Sequence, residues 1–134
     1  MSRGIDYCSP GNIRLSKTFY QGEGQPARDG SFKQFRAMAW GYRAMFVLLD
    51  TYRRRYGLNT IRGMISRYAP PSENHTEAYI RLVAERSGID DSTTLDTRSE
   101  RDMIPVVAAM SEVENGVKAA MADVEAGWEL FISK

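Results

Sequence analysis

The chain has 134 residues, enough for one domain with a single hydrophobic core. Its 18 basic and 17 acidic residues nearly cancel, which argues against a nucleic-acid partner, because nucleic-acid-binding domains usually carry a strong basic excess. Cys8 is the only cysteine and His75 the only histidine, so an internal disulfide and a His/Cys zinc set are excluded. With no phosphate-binding glycine motif either, we expect neither a metal nor a cofactor.

Targeting and membrane signals are not seen in the sequence. Residues 1–15 lack the apolar segment of a signal peptide. The apolar stretch from Ala44 to Leu49 is cut short by Asp50, far below the length that a membrane span requires. We therefore expect no membrane span.

The first 35 residues have no helical period and are rich in turn residues. Short extended pieces around residues 12–15, 18–20 and 31–35 predict a small sheet or β-hairpin. The segment from Gln21 to Gly30 is interpreted as a loop.

From Arg36 onward the apolar spacing predicts five helices. The first ends at Gly57, and the second begins at Asn59 or Thr60 and ends before Pro70. The third opens with a capping box at Asn74 and ends at Gly88. The fourth is expected to start at Asp102, with Pro105 in its first turn, and to end at Asn115–Gly116. The fifth carries Met121, Val124, Trp128 and Phe131 on one face.

These elements predict a single α+β domain over residues 1–134 that is mainly α-helical. Residues 1–35 form its extended and loop segment, and residues 36–134 form its helical segment.

Three segments carry candidate chemistry. Glu114 lies in the last turn of an apolar helix, where a carboxyl group is a candidate general acid of a glycosidase; a solvent-facing glutamate is the simpler interpretation. Asn12 follows a Pro10–Gly11 turn and offers both a donor and an acceptor to a sugar amide, although such a turn is also an ordinary structural element. A Pro-Pro corner brings Tyr68, Asn74 and Tyr79 close together, as in carbohydrate sites or simply in a helix core.

The same three segments carry a resemblance. In order they read PGNIR at residues 10–14, GLNTIRGMISRYAPPSENHTEAYI at residues 57–80 and ENG at residues 114–116. This order resembles a family of phage and prophage proteins commonly labelled virion structural proteins, over roughly residues 8–128.

A second resemblance is to lytic transglycosylases and glucosaminidases of the lysozyme superfamily. Their catalytic helix typically ends in Glu-Ser-Gly, which is similar to residues 114–116 here, with Asn115 in place of serine. PGNIR is similar to an Asn-rich segment of the glucosaminidases, and residues 68–79 to a sugar-contacting region of the transglycosylases. Because the glutamate segment comes last, the resemblance implies a circularly permuted lysozyme-like domain with a small N-terminal hairpin.

This resemblance implies an enzyme that cleaves the glycan strand of peptidoglycan, a muramidase or lytic transglycosylase. Glu114 is then the general acid and base, and Tyr68 and Asn12 hold the N-acetyl group or stabilise developing charge. Glu23 is the one further carboxylate considered, and Asn74 and Tyr79 complete the expected sugar contacts. The protein is then expected in the virion or the host cytoplasm, with other factors delivering it to the cell wall.

The family label supports an alternative. In this hypothesis the chain is a non-catalytic virion structural protein that contacts other virion proteins and retains the fold without the activity, since a shared fold does not guarantee a shared function. A third hypothesis, an adaptor for nucleic acid or a partner built on Arg53–Arg55, has little support from the near-zero net charge.

Overall fold

A computed structural model describes residues 10–11, 20–24, 34–35, 37–71 and 75–133. Five helices account for most of this part of the chain. They are α1 (Met38–Tyr56), α2 (Ile61–Tyr68), α3 (Thr76–Ser87), α4 (Glu100–Asn115) and α5 (Met121–Ile132).

The expected β layer is not found in the described residues. Their single β pairing is antiparallel and two residues long on each side, β1 (Glu23–Gly24) with β2 (Gln34–Phe35). A typical strand has about five or six residues, so this pairing is too short to form a sheet layer of its own. The α+β prediction, with its lysozyme-like hairpin or sheet, is therefore wrong, and the described fold is all-α. The extended piece expected at residues 12–15 lies outside the described residues.

Most helix ends lie where the sequence predicts them. Helix α1 ends at Gly57 and α3 ends at Gly88, each in a left-handed backbone conformation. The Thr60 hydroxyl caps α2 by accepting a hydrogen bond from the Gly63 N–H at 3.0 Å. Helix α3 begins at Thr76, and the capping box expected at Asn74 lies outside the described residues.

The predicted start of α4 is wrong by about one turn. Ser99 is the N-cap, and its hydroxyl accepts a hydrogen bond from the Asp102 N–H at 3.4 Å. The Asp102 carboxylate instead accepts a hydrogen bond from the Asp96 N–H at 2.9 Å, holding the preceding loop. Pro105 consequently lies inside the helix rather than in its first turn.

Helices α1 and α5 form the most extensive pair and contain the centre of the core. A Cβ atom at Gly127 would lie 2.6 Å from the Tyr42 Cβ and 2.9 Å from the Ala39 carbonyl oxygen, so only glycine permits this approach. Phe46 of α1 packs edge-on against Trp128 of α5, with ring centroids 5.0 Å apart. The core therefore joins the first and last helices of the chain.

The remaining helices complete the bundle around this pair. Helix α3 packs between α2 and α4. A buried hydrogen bond of 2.9 Å between the Tyr42 and Ser111 hydroxyls ties α1 to α4, so the polar atoms at this point of the core are satisfied. None of the described helices combines the length and apolar composition needed to cross a bilayer.

Candidate functional site

Segments far apart in the sequence meet at one end of the bundle. The Asn115 side-chain amide, in the last turn of α4, donates hydrogen bonds to the Pro10 carbonyl at 2.8 Å and to the Ser111 carbonyl at 2.9 Å. The Tyr68 hydroxyl, at the end of α2, donates to the Gly11 carbonyl. The Pro10–Gly11 turn is therefore held from two sides, by α2 and by α4.

Gly11 lies in close contact with side chains of α1 and α2. A Cβ atom at this position would lie 2.8 Å from the Met45 Cε and 2.9 Å from the Met45 Sδ, and would also meet the Tyr68 hydroxyl. A larger residue at position 11 would therefore require the ends of these two side chains to shift. The Pro-Gly pair thus serves packing at this point as well as turn formation.

The end of α4 places Glu114 in the same junction. Gly116 terminates the helix with φ of 73° and donates its N–H to the Glu112 carbonyl at 2.8 Å. The turn just before this cap carries Glu114 and Asn115, both half-buried. The local sequence Glu-Asn-Gly therefore fixes where the carboxyl group and the amide lie.

Two tyrosines lie beside the Glu114 carboxyl group. Burial, the charge of Glu114 and the neighbouring Tyr52 and Tyr20 raise the pKa of Tyr68 well above its ordinary value. Burial, the neighbouring Tyr68, the charge of Glu114 and hydrogen bonding with it do the same to the pKa of Tyr79. Both hydroxyls are protonated at neutral pH, and the Tyr79 hydroxyl is buried close to the carboxyl group.

The structure thus joins part of the predicted site. Glu114, Tyr68 and Tyr79 meet, whereas Asn12 and Asn74 lie outside the described residues. Glu23 belongs to β1, and only its backbone is described. The roles of these residues as catalytic or sugar-binding groups stay predictions.

Sequence reasoning missed the part that Asn115 plays. Its amide connects α4 to the Pro10–Gly11 turn, whereas the sequence shows it only as a substitute for serine in a short motif. The available signal was its position immediately before a helix-ending glycine, where a side chain reaches the last carbonyls of the helix. That position does not identify a partner 105 residues away.

A second carboxylate, Asp50 of α1, is buried elsewhere in the molecule with its side chain only 2% exposed. It accepts hydrogen bonds from the Thr97 hydroxyl at 2.7 Å and from the Arg54 Nε at 2.9 Å. Burial alone would raise the pKa of Asp50, but these hydrogen bonds and the charges of Arg98 and Arg54 outweigh it and hold the pKa below its usual value. Asp50 therefore anchors the loop before α4 to α1.

The described residues contain no recognisable metal-binding site. Within residues 10–11, 20–24, 34–35, 37–71 and 75–133, no group of three His, Cys, Asp or Glu side chains is arranged to hold an ion. Glu114 is accompanied by phenol groups, so the polar groups described at this junction are hydrogen-bonding groups.

Comparison with known proteins shows that the chain is related to a phage protein. Protein P5 of Pseudoalteromonas phage PM2 is 36% identical to it over 118 residues, which cover 86% of this chain and 72% of the relative. This chain belongs to the P5 family. None of the known protein-family models matches it. The match to P5 covers most of both chains, so this member of the P5 family corresponds to its phage relative over most of its length and not only at a short motif.

Proposed function

We propose that this member of the P5 family is a structural protein of a phage virion, located in the particle and in contact with other virion proteins. The observation that carries the proposal is the relationship to a phage protein over most of both chains. The resemblance of residues 8–128 to proteins labelled virion structural agrees with it. A small helical body with charged and apolar surface grooves suits such a role, because interfaces combine an apolar centre with a polar rim.

The proposal is tested on purified particles of the phage that encodes the chain. Particles are banded by density, treated with protease to remove adhering protein, and analysed by quantitative mass spectrometry. We expect the chain at a fixed number of copies per particle, and a replication protein of the same phage serves as the control. Recovery of the chain at no more than the level of that control contradicts a structural role.

A second candidate function is cleavage of the peptidoglycan glycan strand. The observation that favours it is the proximity of Glu114 to Tyr68 and Tyr79, which belong to three different helices. In this hypothesis Glu114 gives a proton to the leaving oxygen and later takes one from water. The Tyr79 hydroxyl orients the carboxyl group, and Tyr68 holds the Pro10–Gly11 turn beside the bound sugar. Phage particles would carry the protein to the cell wall.

Release of soluble fragments from purified peptidoglycan tests this second candidate. We compare the parent chain with Glu114→Gln and with the matched control Glu112→Gln, two residues away on the same helix. Removal of a general acid lowers the rate by about 100-fold or more, so only Glu114→Gln is expected to lose activity. A folded parent chain that releases no fragments rules out glycan cleavage and leaves the virion role intact.

A further inference from the structure

A groove of about 870 Å³ lies between α1 and α2, and we call it the α1–α2 groove. Aromatic and apolar side chains form much of its lining. They include Tyr20, Leu48, Tyr52, Tyr56, Leu58 and Pro70. Tyr56 is 49% exposed.

The charged residues described in the α1–α2 groove are all basic. Arg55 and Arg67 line it, and none of the other described lining residues is acidic. The Arg67 guanidinium lies 3.7 Å from the centroid of the Tyr56 ring, a cation–π contact that holds it in the groove. Within the described residues, Arg55 and Arg67 make no ion pair, whereas the neighbouring Arg54 and Arg62 do. The basic and aromatic lining of the groove therefore complements a partner surface that carries both carboxylates and apolar side chains.

A surface of the opposite kind lies on α5 of the same chain. Met121, Glu125 and Glu129 follow one another at four-residue spacing and form a row along the helix, which we call the α5 ridge. Glu125 and Glu129 are exposed, and Met121 is 45% exposed. The ridge borders a groove of about 460 Å³ between α4 and α5. Among the described residues that line this groove, Glu100 of α4 adds a third carboxylate, and Arg101 is the one cation.

The exposed apolar side chains support a relation between these two surfaces. Among the described residues, four large apolar side chains are well exposed, and they are Tyr56, Val117, Met121 and Ile132. Tyr56 lies in the α1–α2 groove. Met121 begins the α5 ridge, and Ile132 follows Glu129 by three residues on the same helix. Exposed apolar side chains rimmed by charge are typical of interaction sites.

We propose that the α5 ridge of one copy of this chain binds in the α1–α2 groove of a second copy. Glu125 and Glu129 would meet Arg55 and Arg67, and Met121 would cover the exposed ring of Tyr56. This is the recognition of a helix face by a groove, with complementary charge on the two sides. The inference rests on the proposed structural role and names the partner for it.

None of the described residues lines both surfaces, so one copy can use both at once. Such a contact joins unlike surfaces of identical chains and is heterologous. Heterologous contacts extend beyond a dimer and produce either closed rings or open filaments. The protein is therefore expected to form assemblies larger than dimers.

Sedimentation velocity over a range of protein concentrations tests the proposal in three steps. The parent chain is expected to associate, and high salt is expected to weaken the association because screening reduces the attraction between the exposed charges. Arg55→Gln with Arg67→Gln, and separately Glu125→Gln with Glu129→Gln, are each expected to weaken association about tenfold or more. Arg81→Gln with Lys118→Gln is the control, since both cations are exposed outside the groove and the ridge.

The decisive step mixes the two impaired variants. The groove variant keeps an intact ridge, and the ridge variant keeps an intact groove, so one good interface remains between them. A mixture is expected to form one-to-one dimers and nothing larger. A monomeric parent chain, or a mixture that associates no better than either variant alone, overturns the proposal. Because these measurements need no phage particles, they can fail or succeed independently of the virion experiment.

Discussion

Asp50 and Glu114 are both partly or fully buried carboxyl groups on helices, yet their surroundings differ. Asp50 is enclosed by the Thr97 hydroxyl and by guanidinium groups, including that of Arg54 at 2.9 Å. Glu114 is accompanied by the hydroxyl groups of two tyrosines, Tyr68 and Tyr79.

The difference separates an anchor from a candidate site. A carboxylate whose charge is balanced by cations and hydrogen bonds contributes to stability. A carboxyl group whose described polar neighbours are protonated phenols lies beside groups without a formal charge, which suits a group that exchanges a proton. Stability measurements on matched variants can test whether the two groups differ in this way.

The largest expected effect is that of Asp50→Ala. The change removes hydrogen bonds to a buried charged group and unties the loop before α4, so we expect the free energy of unfolding to fall by about 3 kcal/mol. Urea unfolding measures it. Asp91→Ala is the control, because its pair with the exposed Arg62 is worth less than about 1 kcal/mol. Equal losses in the two variants would contradict the role of Asp50 as an anchor.

Asn115→Ala should have the next largest effect, about 1 to 2 kcal/mol, because it removes the hydrogen bonds to the Pro10 and Ser111 carbonyls. Thermal and urea unfolding both report the loss. Ser66→Ala is the control, since its hydroxyl bonds only to the Arg62 carbonyl at the surface. If Asn115→Ala is as stable as this control, the junction contributes little to the fold.

A smaller effect is expected on the pH dependence of stability, measured in acid. The folded-state pKa of Asp50 is depressed, so its stabilisation is fully present above its unfolded value of about 3.9 and is lost as the pH falls through the folded value. Below about pH 4 this group alone lowers the stability by up to about 1.4 kcal/mol per pH unit. Urea unfolding at descending pH should show a shallower decline in Asp50→Asn. If the free energy of unfolding declines identically in the parent chain and in Asp50→Asn, then Asp50 has the same pKa in the folded and the unfolded state, which contradicts the prediction.

The smallest effect on stability is expected for Glu114→Gln, a change of under about 1 kcal/mol, because the amide keeps the shape of the carboxyl group. The effect that distinguishes this variant is on the pKa of the two neighbouring tyrosines. Loss of the negative charge lowers the pKa of Tyr68 and Tyr79 toward the ordinary value, and alkaline titration of phenolate absorbance detects the shift. Glu112→Gln should leave that titration unchanged. A shift of the same size in both variants would place the source of the effect outside Glu114.

The helices could be predicted because local signals define them. Glycine ends α1 and α3, the Thr60 hydroxyl caps α2, and the Glu-Asn-Gly sequence closes α4. The error at α4 arose because both Ser99 and Asp102 are good N-cap residues, and the loop engages the Asp102 side chain. The β prediction failed because short extended pieces need partners at long range, which no local pattern supplies.

The candidate site could be predicted only in part for the same reason. Residues 68 and 79 flank one corner, so their proximity follows from local sequence. Their meeting with Glu114 depends on how α2, α3 and α4 pack. The anchoring of Asp50 by Thr97 was likewise invisible, since the sequence shows only a charged residue that ends an apolar run.

The close contact at Gly127 has a consequence for biosynthesis. Its backbone meets that of α1 near Tyr42, so the apolar face of the first helix is completed only by the last. As the chain leaves the ribosome, more than half of the sequence must still be synthesised after α1 before its main packing partner, α5, is complete. Contacts between residues so distant in the chain slow folding and prolong the exposure of apolar surface. Synthesis of this protein in bacteria should therefore gain in soluble yield from lower temperature or added chaperone.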